Sequence, residues 1–121
     1  MTAARQGHAP AVTLLAAQGA NVNQQDRAKW SALTWAIKKS QYEAAKALLA
    51  AGADVNHLDA EDTPLLHVAV DGGKTEMVQL LIDYKANVKA KDQYGLTALV
   101  YALKGQHTEI ANIIKAAGGS Y

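Results

Sequence analysis

The sequence predicts an all-α solenoid of stacked helix-turn-helix units with short finger turns. Three observations predict it: a strict internal period, two short apolar-striped helices in each period, and a turn block closing each one. Gly19-Ala20-Asn21-Val22-Asn23 returns as Gly52-Ala53-Asp54-Val55-Asn56 and as Lys85-Ala86-Asn87-Val88-Lys89, and a degraded copy lies at Gly118-Gly119. The blocks begin at 19, 52, 85 and 118, a period of 33 residues without slip. Independent rows keep the same period: Ala3, Ala36, Ala69 and Ala102; Leu33, Leu66 and Leu99; Leu15, Leu48, Leu81 and Ile114. Chance does not produce several such rows at one spacing.

The elements follow from each unit's pattern. Ser31 to Lys39 carries Leu33, Ala36 and Ile37 at helical spacing, and Gln41 to Ala51 carries Ala44, Ala45, Leu48 and Leu49 on one face. Gly52 ends the second helix, and Asp54-Val55-Asn56 is turn chemistry around one buried valine. Neither helix is long enough to persist alone. Each buries its apolar face only against the next unit, so the units form an array. The chain divides into one domain with a partial unit at about 1–23 and full units at 24–56, 57–89 and 90–121.

These residues resemble the ankyrin repeat family, whose pattern reads T-P-L-H-x-A, then G-H, an apolar second helix, and G-A-D-V-N. The fourth unit offers Asp92, Gly95, Thr97, Leu99 and Ala102; the third offers Asp59, Thr63-Pro64, Leu66, His67 and Ala69; the second offers Asp26, Ser31, Leu33 and Ala36. Gly7-His8 opens the first turn between helices. The resemblance covers essentially the whole chain and implies an ankyrin-repeat solenoid that binds another protein. Some positions depart from the pattern. Thr63-Pro64 sits one residue early, so that helix is expected to start differently. Lys85 replaces the turn glycine, and Lys29 and Asp62 stand where the family has glycine in the finger. Met1 falls inside the expected first helix, so the chain reads as a fragment of a longer protein. The last helix alternates Glu109, Asn112 and Lys115 with isoleucines, which suits a terminal cap.

Composition narrows the function classes. The chain has 121 residues, half of them hydrophobic, with 19% charged, a net charge of +1 and no cysteine. Disulfides, thiolate metal sites and cysteine nucleophiles are excluded. No apolar run approaches the roughly 18 residues of a membrane span, and no signal peptide opens the chain. A cytoplasmic monomer is expected, without nucleic acid, membrane or cofactor.

Candidate chemistry is sparse. His8 and His107 lie at equivalent turns in different units, His57 stands alone in a finger, and His67 matches the family histidine, which the resemblance implies bonds local backbone. No two histidines have the spacing of a helical metal site. Gly73-Lys74-Thr75 lacks the earlier glycine of a phosphate loop, since Val68 occupies that place. Ser31, Ser40 and Ser120 lack His–Asp partners in register. Glu43, Glu76 and Glu109 recur once per unit on the solvent side of the second helix and do not pair for acid–base work. The chain is expected not to be an enzyme. Leu48 with Asp54-Val55-Asn56 also resembles the pattern on which ankyrin asparagines are hydroxylated; the turn role of Asn56 is preferred.

What remains is a surface. By register the resemblance places partner-binding residues on the fingers and the exposed side of each first helix: Arg5, Arg27, Trp30, Lys38, Lys39, Glu61, Asp71, Lys91, Tyr94 and Lys104. Cations outnumber carboxylates in this set, and Trp30 and Tyr94 are of the type enriched at hot spots. The expected partner is a protein or peptide with acidic residues and an apolar anchor. Trp35, with register mates Val68 and Tyr101, is expected to pack between helices, and Tyr42 and Tyr84 to pack on the outer side. Competing readings are a recognition segment of a larger enzyme or bacterial effector, a nucleic-acid binder using the lysines, and an engineered binder.

Overall fold

The computed structural model describes residues 25–120, which hold six helices. Arg5, His8, Leu15 and the first turn block lie outside the described residues. Ser31 starts helix α1 (Ala32–Lys38) with a reciprocal cap: Thr34 N donates to Ser31 Oγ and Ser31 N to Thr34 Oγ1, each at 3.3 Å. Helices α2 (Tyr42–Ala50), α3 (Leu65–Gly72), α4 (Thr75–Asp83), α5 (Ala98–Lys104) and α6 (Thr108–Ala116) complete three pairs. The second helices α2, α4 and α6 carry Glu43, Glu76 and Glu109 in their first turns, where a carboxylate meets the positive end of the helix dipole.

The first helices α1, α3 and α5 pack side by side in one layer, and α2, α4 and α6 form a second layer behind them. The rows predicted from the period are the core: Leu33, Leu66 and Leu99, the alanines 36, 69 and 102, and Leu48, Leu81 and Ile114 are all buried. The alanines let the layers approach closely. Fingers close on isolated bridges at Gln25–Ser31, Leu58–Pro64 and Lys91–Thr97, again 33 residues apart.

Three turns per unit require a left-handed residue, and each recurs in register: 29, 62 and 95; 40, 73 and 106; 52, 85 and 118. Lys29 (φ 59°) and Asp62 (φ 57°) therefore reproduce the finger geometry of Gly95. Ser40 and Gln106 are further left-handed side-chain positions that the sequence pattern did not disclose. At the ends of α2 and α4 the amide of Gly52 returns to Leu49 O and that of Ala53 to Leu48 O, as Lys85 does to Ile82 O and Ala86 to Leu81 O. Lys85 (φ 71°) carries a Cβ in this turn at a local cost. Lys85→Gly is expected to raise stability by about 1 kcal/mol in a denaturant melt.

The early Thr63-Pro64 does not shift its helix: α3 begins at Leu65, in register with Ala32 and Ala98. Tertiary packing sets the start, and Pro64 becomes the N-cap with no side-chain bond. The cost falls on His67, the third residue of α3. Pro64 has no N–H to give it, unlike Ser31 toward Thr34, and the buried His67 Nδ1 has no hydrogen-bond partner among the described residues. Pro64→Thr supplies both a capping oxygen and the missing N–H, and is expected to stabilise by about 1 kcal/mol in the same melt.

Neighbouring units are stitched by backbone and side chain. Ala60 N donates to Ala28 O at 2.9 Å, and Asn87 N to Asn56 Oδ1 at 2.8 Å. His57 is not solitary: it is buried and its Nε2 bonds Lys29 O of the preceding finger. His67 Nε2 likewise bonds Leu96 O of the next finger at 2.8 Å, not local backbone.

Candidate functional site

The fingers are shaped by one aspartate each. Asp26 Oδ1 accepts Ala28 N (2.9 Å) and Trp30 N (3.0 Å); Asp59 Oδ1 accepts Glu61 N (2.8 Å) and Thr63 N (3.1 Å); Asp92 Oδ1 accepts Tyr94 N (2.9 Å) and Leu96 N (3.0 Å). The second oxygen looks to the first helix of its own unit. Trp35 Nε1 donates to Asp26 Oδ2 at 2.9 Å, and the Tyr101 hydroxyl donates to Asp92 Oδ2. The indole N–H of Trp35 thus ties its helix to its own finger. The residue is half-buried under its finger, edge-on to Trp30 with ring centroids 4.6 Å apart. An indole beside a carboxylate gains a bond there that the core does not offer.

The Asp92–Tyr101 pair is electrostatically marked. Burial opposes ionisation of Asp92, but bonds from the Tyr101 hydroxyl and the Leu96 and Tyr94 amides, with the influence of His67, hold its carboxyl below the ordinary value. The bond to Asp92, with burial behind it, pushes the Tyr101 hydroxyl up to about 12. Tyr101 also meets His67 edge-on at 5.5 Å.

Between the fingers and the first helices lies a pocket of 310 Å³. Trp30, Tyr94 and Tyr101 form its aromatic walls, with His67 and Val68 from α3, and Thr63 and Gln93 from the fingers. Lys38, Asp59, Glu61, Asp71 and Asp92 supply its charges. Of the predicted residues it gathers Trp30, Lys38, Glu61, Asp71 and Tyr94. Arg27, Lys39, Lys91 and Lys104 are exposed but do not line it.

The expected basic character fails here: four carboxylates face one ammonium. Two of them, Asp59 and Asp92, read as turn residues in the sequence, yet the finger uses only one oxygen of each. Asp59, Asp92, Val68 and Tyr101 also line the pocket, although none of them is among the expected partner-binding residues. Their signal was present in the register, since residues 35, 68 and 101 lie opposite 26, 59 and 92. On the outer side Tyr42 packs against the core as expected, whereas Tyr84 caps α4 and is 39% exposed.

Among the described residues no group of three or more His, Asp or Glu side chains could hold a metal ion, and no helix is long and apolar enough to cross a membrane. Repeated helical pairs that present fingers and one helix face as a continuous surface define a helical-repeat interaction module. The chain belongs to the ankyrin repeat family: a family model for ankyrin repeats (three copies) matches residues 1–59 and 51–120. Proteins of this family are generally protein–protein interaction modules. Comparison with curated proteins returns no match.

Proposed function

We propose that this chain is a non-catalytic scaffold that grips a partner protein or peptide on the surface formed by its fingers and first helices. The observation that carries the reading is the 310 Å³ pocket with its aromatic walls, one of which, Tyr94, is 74% exposed. Large amphipathic rings held open toward solvent are the usual anchors of a binding hot spot. Residues on regular helices and on fingers tied by aspartate bonds need little ordering on association, which limits the cost of binding. The carboxylates of the pocket offset the neighbouring lysines, which speaks against a nucleic acid on this face. The chain is expected to act as a monomer without a cofactor.

The test is selection of random displayed peptides on the purified chain, followed by binding of the recovered peptides to a Trp30→Ala/Tyr94→Ala variant of unchanged helicity. Peptides that bind the parent and lose the variant support the reading. Peptides that bind both equally place recognition elsewhere and sink it.

A further inference from the structure

The third unit departs from its neighbours at two positions, and both open onto the same pocket. Where Trp35 and Tyr101 donate to their finger aspartates, the third unit has Val68, which has nothing to donate. Asp59 Oδ2 consequently has no hydrogen-bond partner among the described residues, although its Oδ1 still holds the finger. Where Lys38 and Lys104 stand in the last turn of α1 and α5, the third unit has Asp71. A carboxylate there meets the negative end of the helix dipole and is locally unfavourable. Local rules broken in one place without structural compensation mark a functional position.

The pocket is also rich in acceptors that lack donors. The second oxygen of Asp59 and the Asp71 carboxylate have no hydrogen-bond partner among the described residues. Asp59 and Asp71 add charge, and the carboxylates are not gathered closely enough for a metal ion. A planar organic cation suits what remains: it stacks on aromatic faces and donates charge-assisted hydrogen bonds to carboxylate oxygens. We propose that the pocket receives an arginine side chain of the partner, its guanidinium donating to the second oxygen of Asp59 and bounded by Trp30, Tyr94 and Tyr101. This rests on the scaffold reading above and specifies the partner's anchor.

The experiment uses the peptides recovered on the parent chain. Arginine is expected at one enriched position. Replacing it by citrulline, which keeps the shape and loses the charge, should weaken binding about ten- to a hundredfold by fluorescence anisotropy. Asp59→Asn should do the same to the arginine peptide, because the amide oxygen still holds the finger. Val68→Tyr should block it by filling the pocket and donating to Asp59, with the melting temperature unchanged or raised. Peptides without arginine that still lose the Trp30→Ala/Tyr94→Ala variant would overturn the arginine anchor and leave the scaffold reading standing. Equal binding of lysine and arginine peptides would overturn the planar guanidinium as the anchor. No recovered peptide, or none sensitive to that variant, overturns both.

Discussion

Leu81→Ala is expected to cost about 2–5 kcal/mol, read as a lower urea midpoint. Leu81 is 0% exposed on α4, the second-layer helix that touches α2 on one side and α6 on the other as well as its own partner α3. Truncation leaves a cavity in the buried face of α4, and the helices around it are too short to close it without breaking their turns. The stability of a repeat array is the sum of weak units and strong interfaces, so damage between two interfaces weakens both. Leu48→Ala, in the same row, should fall within the same range. A neutral result at either position would mean that the 33-residue register has been assigned to the wrong rows.

Asp92→Ala is expected to cost about 2–3 kcal/mol, because one carboxylate holds two finger amides and the Tyr101 hydroxyl. Asp92→Asn keeps an oxygen for the amides and should cost less. The pair also predicts a pH dependence with two limbs. The folded carboxyl titrates below its ordinary value of 3.8, so its contribution is present above that value and is lost as pH falls through the lower folded value. The Tyr101 phenol is raised from 10.0 to about 12, so its contribution is complete below 10.0 and disappears as pH rises through about 12. Ultraviolet absorbance titration should show a late component from Tyr101 that moves back toward 10.0 in Asp92→Asn. A tyrosine titration identical in parent and variant would show that the bond does not control the phenol.

Much of the fold was legible because a repeat states its register several times. Leu33, Leu66 and Leu99 each confirm the others, so an irregular Thr63-Pro64 does not displace α3. The glycine-like turns at Lys29, Asp62 and Lys85 were legible for the same reason. Ser40 and Gln106 were not, since polar residues between helices look like any solvated turn. The site was half legible. Exposed anchors such as Trp30 and Tyr94 stand out by residue type. Charge could not be summed from exposed positions alone, because Asp59 and Asp92 hold the fingers and also line the pocket. The apolar row of residue 35 does not reveal that the Trp35 indole N–H is bonded by Asp26.

The edge-on contact of Trp30 and Trp35 makes the chain its own optical gauge. These are the only two tryptophans in the sequence, and both lie in the second unit. Their emission follows that unit and its finger, while far-ultraviolet ellipticity averages over all the helices. Coincident melts by the two signals would mean that the units unfold together. A gap between them would measure how far one unit opens before its neighbours follow. Trp30 also lines the pocket, so the same emission can report occupancy of the binding face without any added dye.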